Sequence, residues 1–202
     1  MPTLEPICKR LFSNQSSVTK CLVSGVLLAI PVAHFLAFGV LYALIDQARR
    51  GQDPELPPWE SWRRLFVDGI VAFAIFVVLG AVPIGAGWIA SWPLRSLPVG
   101  PLRLVPLIPG LLIAAPLTAA GIYQYQRHKA FRAAFRLSEL AGMLQSCLGA
   151  IVVPTLALIG FIGIGYPLMP ITLFVGLATG FTFYAMSFRA IEETRKRGVR
   201  SP

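Results

Sequence analysis

The sequence predicts an all-α integral membrane protein, and three observations predict it. Of its 202 residues 55% are hydrophobic and only 13% are charged, about half the charged share of an ordinary soluble domain. Five long runs contain no Lys, Arg, Asp or Glu: Cys21–Ile45, Gly69–Ala90, Leu104–Ile122, Cys147–Tyr166 and Leu168–Phe188. Each meets or approaches the roughly 20 apolar residues that a helix needs to cross the hydrocarbon core. The basic residues gather in the gaps between these runs, as they do in membrane proteins. Buried helices of a soluble core are excluded, because one small core could not hide five such runs.

The net charge of +9 would suggest nucleic acid as a partner for a soluble chain. Here no nucleic-acid-binding signature accompanies it, and its placement points to the lipid bilayer instead. Cys8, Cys21 and Cys147 are odd in number and form no CxxC or Cys/His cluster, which argues against a disulfide framework or a metal site. The first 20 residues lack the apolar core and cleavage site of a signal peptide. The first run is therefore expected to remain in the mature chain, and residues 1–202 are read as a single transmembrane domain.

In chain order, the first run holds Pro31 and His34. It is expected to span the membrane; the alternative is a re-entrant hairpin broken at Pro31, which non-helical backbone tolerates only under cover of protein or a cavity. The first basic connection, residues 46–66, should begin with a helix end capped by Gly51, a residue suited to the left-handed cap. Asp46 stands three and four residues before Arg49 and Arg50, at ion-pairing distance on a helix. Pro54, Pro57 and Pro58 then forbid regular helix. Helix is expected to resume with Trp59, Trp62 and Phe66 on one face as interfacial anchors and Arg63 and Arg64 opposite. The segment reads as an elbow lying at the membrane surface.

The second run carries Pro83, the third Pro109 and Pro116, and the fourth Pro154, each predicting a kink rather than an end. The second basic connection, residues 127–144, reads as another elbow. Phe131 and Phe135 would share one face of an amphipathic helix, with His128, Arg132 and Arg136 on the other and Arg136 paired to Glu139. In the last run Gly176 and Gly180 stand at the small-residue spacing for close helix approach, by internal packing or dimerisation. The basic tail, residues 189–202, closes the chain. With five spans, the positive-inside rule places both elbows and the C-terminus on the cytoplasmic side of the membrane, with Lys9, Arg10 and Lys20 translocated. Span, elbow, span occurs twice, and Gly39 with Tyr42 loosely matches Gly121 with Tyr123, so a duplicated two-span unit is expected.

The stretch "GVLYALIDQARRGQDPELPPWESWRRLFVDGI" resembles the signature of the domain-of-unknown-function family numbered 4013, small polytopic membrane proteins of bacteria and archaea. The match runs through Gly39, Tyr42, Arg49, Arg50, Gly51, Asp53, Leu56, Pro57, Trp59 and Leu65–Gly69, with Pro54-Glu55 lengthening the acidic turn. "AFRLSEL", residues 134–140, is a weaker match to the family's second basic segment. The resemblance implies a topology and carries no activity with it.

His34 is the lone ionisable residue within a run, either a proton relay or a neutral imidazole bonded to a neighbouring carbonyl; the second is preferred because no acid accompanies it. Asp46, Arg49, Arg50, Arg63, Arg64 and Asp68 form a candidate polar cluster, as an interfacial ion-pair group or a grip for anionic lipid headgroups. No GxSxG, HExxH, phosphate-binding loop or paired intramembrane carboxylate occurs, so no enzyme activity, metal or cofactor is expected. The function expected is a non-catalytic scaffold or accessory subunit with a membrane-protein partner or a second copy as its associate. A small transporter is the alternative, and a lipid-active enzyme using Asp46, Asp68 and Arg63 trails.

Overall fold

In the computed structural model, which describes residues 4–11, 15–96 and 100–198, the first apolar run is not one helix. The α-helices are α1 (Leu4–Leu11), α2 (Gln15–Ala29), α3 (His34–Arg50), α4 (Trp62–Phe76), α5 (Val82–Ala90), α6 (Leu107–His128), α7 (Leu137–Ile164) and α8 (Met169–Gly198), with no strand among the described residues. Between α2 and α3 lies a turn at residues 30–33. Pro31 there has no N–H to donate, and its ring would strike the carbonyl four residues back in a continuing helix. Val32 takes a left-handed backbone conformation, φ 70°, which is rare for a β-branched residue. The His34 N–H bonds to the Ile30 carbonyl at 3.0 Å and the Phe35 N–H to the Val32 carbonyl at 3.3 Å, restarting the helix.

After this turn the chain doubles back, with α2 packed on α3. The Lys20 ammonium, early in α2, donates to the Leu56 carbonyl beyond the end of α3 at 3.4 Å. Arg10 pairs with Asp53 in the same connection. The continuous helix expected over Cys21–Ile45 is thus corrected to a helical hairpin, and the N-terminal segment lies at the same end as the first elbow rather than the opposite one.

Four stretches are long and apolar enough to cross a membrane: Trp59–Ala90, Leu102–His128, Leu137–Ile164 and Met169–Thr194. They contain most of the last four apolar runs, as the reading of a membrane protein expects. The stretch Trp59–Ala90 contains a π-helical turn at Val77–Ala81, immediately ahead of Pro83. A π-bulge accommodates the bond that a proline withholds. Pro116 and Pro154 sit within α6 and α7 without ending them. Pro109 falls in the first turn of α6, where its missing N–H has no helical acceptor to lose.

Both elbows are shorter than the sequence suggests. Gly51 ends α3 at φ 75° and ψ 20°. Its N–H reaches the Ala48 carbonyl at 3.1 Å and the Gln52 N–H reaches the Gln47 carbonyl at 2.9 Å, the paired bonds of a Schellman cap. After an extended passage, a single 3-10 turn (Trp59–Ser61) leads directly into α4. The anchors Trp59, Trp62 and Phe66 therefore belong to the first turns of the membrane-crossing stretch, and no separate helix lies at this elbow. At the second elbow Lys129, φ 53°, stops α6 and bonds the Tyr125 carbonyl at 2.7 Å. One 3-10 turn, Phe131–Phe135, follows before α7 begins at Leu137. The amphipathic α-helix expected over 127–144 is replaced by that turn and the first two turns of α7.

Packing is set by glycines. A Cβ built on Gly39 would overlap the Leu65 carbonyl, and one on Gly69 the Phe35 carbonyl, so α3 and α4 touch backbone to backbone. Gly87 and Gly110 do the same for α5 and α6, against Pro106 and Pro83. Gly121 faces Leu79 and Ile75 of the preceding stretch, unlike Gly39, which faces the helix that follows it. The two glycines of the suggested repeat thus have different neighbours. α8 is the central helix, in contact with α1, α2, α3, α6 and α7, and 67% of its apolar window is buried against 17% for α7.

Two outcomes follow. Val32→Gly should stabilise the protein by about 1 kcal/mol, because glycine relieves the left-handed strain. In a continuous helix the same change would destabilise by a similar amount, so thermal unfolding in detergent reads the sign. Gly39→Ala or Gly69→Ala should each cost about 2–3 kcal/mol by forcing the α3 and α4 backbones apart.

Candidate functional site

The six residues of the elbow cluster resolve into three local groups. Asp46 accepts from Arg49 at 2.7 Å and Arg50 at 2.6 Å. Arg64 pairs with Asp68 at 3.5 Å one helical turn on. Arg63 instead lies over the Trp62 ring, 5.4 Å from its centroid, a cation–π contact. The Asp46 pairs were legible because they lie within one helical turn, whereas the contact of Arg63 with Trp62 corrects the expectation that these two lie on opposite faces. Burial pushes the Asp46 carboxyl up, yet the hydrogen bonds and charges of Arg49 and Arg50 together hold it below its ordinary value of 3.8.

The anchors divide in the same way. Trp62 is 53% exposed and Phe131 47%, whereas Trp59, Phe66 and Phe135 are half-buried. Phe66 sets its ring edge-on to Phe35 at 5.6 Å, and Phe131 and Phe135 meet at 5.2 Å. His34 sits at the start of α3 among aromatic rings, 4.2 Å from Phe35 and 4.8 Å from Phe73. Its Nε2 is buried without a hydrogen-bond partner, so the carbonyl bond expected for it is not made. Among the described residues no three of His, Cys, Asp and Glu come together to hold a metal ion.

The richest polar junction brings together helices that are remote in sequence. The Tyr123 hydroxyl on α6 donates to Glu192 on α8 at 3.0 Å. Arg127, one turn along α6, reaches the other Glu192 oxygen at 3.3 Å. The Gln126 side-chain amide donates to the Tyr42 carbonyl of α3 at 2.8 Å in the buried interior. Arg189 on α8 pairs with Glu193 at 2.7 Å and lies against Gly51, where a Cβ would strike its guanidinium. Two cavities of about 490 and 260 Å³ open here. Of this junction only Arg49 belongs to the cluster read from sequence. Tyr123 and Gln126 just past the end of the third apolar run, with Glu192 just past the end of the last, are the signal that could have revealed it.

Gly176 and Gly180 face Ile162 and Leu158 of α7, so this pair serves internal packing. The opposite face of α7 carries a stripe that sequence reading missed. Gly149, Val153, Leu156, Gly160 and Gly163 recur at spacings of four and three, and all are exposed. Val153 is 70% and Leu156 51% exposed. A Cβ added at Gly149, Gly160 or Gly163 would meet nothing within 4 Å.

A family model described as "Protein of unknown function (DUF4013)" matches residues 22–174. No curated protein and no solved structure matches the chain.

Asp46→Asn should cost about 1 kcal/mol at neutral pH, modest because Arg50 is half exposed. A carboxyl held below 3.8 contributes its stability fully above that value and loses it as the pH falls below it. Denaturant unfolding of both proteins, from about pH 7 to about pH 3, should show their difference vanish only at the acid end.

Proposed function

The chain belongs to the DUF4013 family, and from that premise we propose that it is a non-catalytic scaffold or accessory subunit of a membrane assembly. The observation that carries this reading is the exposed stripe on α7. Lipid tails are as apolar as leucine, so helices associate in a bilayer through close packing at small residues, not through hydrophobic exclusion. Glycine in mid-helix costs roughly 0.5–1 kcal/mol relative to alanine. At Gly176 and Gly180 that cost is repaid by the contact with α7; at Gly149, Gly160 and Gly163 nothing within the chain repays it. A transmembrane helix of a partner protein, laid along this groove, would.

The interior supports an assembly role over transport. The void between α6, α7 and α8 is about 40 Å³ and mainly apolar, room for roughly a water molecule. Its polar groups satisfy one another, with the Thr155 and Tyr184 hydroxyls 2.7 Å apart. Orientation follows from charge. With the α2–α3 hairpin returning to its starting end, Lys9, Arg10 and Lys20 join the elbow arginines on one side, leaving Arg95 and Arg103 on the other. The positive-inside rule makes the crowded side cytoplasmic, in a prokaryotic inner membrane.

The test is co-purification in mild detergent of the wild type and of Gly149→Leu and Gly160→Leu. These variants fill open space, so they should fold at least as well as the parent while losing a stoichiometric partner. A wild type that emerges as a bare monomer, or variants that keep the same partner, would count against the proposal. Loss of a self-associated dimer instead would identify a second copy as the occupant.

A further inference from the structure

Three guanidinium groups from three helices converge on one cavity at the elbow end of the bundle. The space of about 260 Å³ is lined by Arg49 of α3, Tyr123 and Arg127 of α6, and Arg189, Glu192 and Glu193 of α8. It shares Tyr123, Arg127 and Glu192 with the larger cavity of about 490 Å³, whose far wall mixes Met143 and Phe188 with Ser146. We propose that this is a binding site for a phosphoryl group, carried by an anionic lipid headgroup or by a soluble phosphate ester. The site lies apart from the α7 stripe and does not depend on the scaffold reading. Its α8 residues also lie beyond the segment that the family model matches.

The first argument is donor supply. A guanidinium presents five N–H donors in a planar fork suited to phosphate oxygens. Arg49, Arg127 and Arg189 are each paired with one carboxylate, Asp46, Glu192 and Glu193, and each pair uses only part of a guanidinium's five donors. The Nε of Arg49 is buried without a hydrogen-bond partner, a group that a ligand oxygen would satisfy.

The second argument is how weakly the present partners hold. Arg189 and Glu193 are an i,i+4 pair with side chains 38% and 46% exposed, and such surface pairs contribute only about 0.3–0.5 kcal/mol. Exchanging Glu193 for a ligand oxygen would therefore cost Arg189 little. Glu192 is held differently, by Tyr123 and Arg127 from a neighbouring helix, and it positions Arg127 at the cavity mouth. A tetrahedral anion can accept from all three arginines at once. The adjoining larger cavity, whose lining mixes apolar Met143 and Phe188 with the hydroxyls of Ser138 and Ser146, suits the ester group attached to it. Basic pockets at helix ends are where membrane proteins take up such headgroups.

The experiment uses the full chain in nanodiscs of phosphatidylcholine, with or without an equal share of phosphatidylglycerol, and reads thermal stability together with binding of an acyl-labelled phosphatidylglycerol. The wild type should bind that probe in preference to the matching phosphatidylcholine. Arg127→Gln, Arg189→Gln and Arg49→Gln should each weaken binding about tenfold. Arg127→Gln/Glu192→Gln removes both members of the inter-helix pair; it should fold and still fail to bind. Glu193→Gln releases Arg189 and should tighten binding, an effect that a purely structural role for Arg189 would not produce. In detergent, stabilisation by glycerol 3-phosphate and inorganic phosphate alone would identify a soluble ester, and stabilisation by phosphatidylglycerol alone a lipid. Equal binding of both labelled lipids with no response to either phosphate, or arginine variants that bind as the wild type does, overturns the proposal.

Discussion

Two backbone contacts carry more of this architecture than any side chain does. Where Gly39 meets the Leu65 carbonyl and Gly69 meets the Phe35 carbonyl, α3 and α4 approach too closely for any side chain to stand between them. In a bilayer this closeness is itself the source of attraction, since dispersion between packed helices replaces the expulsion of water. The contact holds α3 in place although it is too short and too polar at its end to be a membrane-crossing helix by itself. Because α3 is held, its C-terminal turn carries Asp46, Arg49 and Gly51 to a defined place. Arg189 of α8 can lie there because Gly51 offers no Cβ to obstruct it.

The same residue type does opposite work elsewhere. Gly176 and Gly180 turn inward, to the side chains of Ile162 and Leu158, and help bind α7 to the central α8. Gly149 and Gly160 turn outward on the far side of α7, where the chain supplies no neighbour. The difference lies in which face of each helix meets α8, and no local pattern distinguishes the two cases. The bundle therefore has one outer helix, α7, packed on α6 and α8 with its far face uncovered. An assembly role makes more use of that arrangement than a conduit would.

What could be read from the residues was what neighbours along the chain decide. The Gly51 cap, the Asp46 pairs with Arg49 and Arg50, and the Arg136–Glu139 pair at 2.9 Å all lie within one helical turn. The membrane-crossing stretches were legible because excluding charge is a property of composition. The hairpin at Pro31 could be read only as an alternative to a span, because Pro116 and Pro154 look the same in sequence and break nothing. Pro116 is buried among neighbouring helices, while Pro31 is exposed and followed by a left-handed Val32. The elbows were read too long because i,i+4 spacing presumes an α-helix, and Lys129 stops α6 before the aromatic pair begins.

The sequence by itself determined which stretches are long and apolar enough to cross a membrane and where the short-range ion pairs form, because insertion energy and helical pairing depend on a residue and its near neighbours. Tertiary structure decided that the first run folds back, that the N-terminal segment joins the elbows, and that Arg49, Arg127 and Arg189 surround one cavity. Those outcomes rest on contacts between helices many turns apart. A glycine or an arginine shows its partner there only after the backbones have come together.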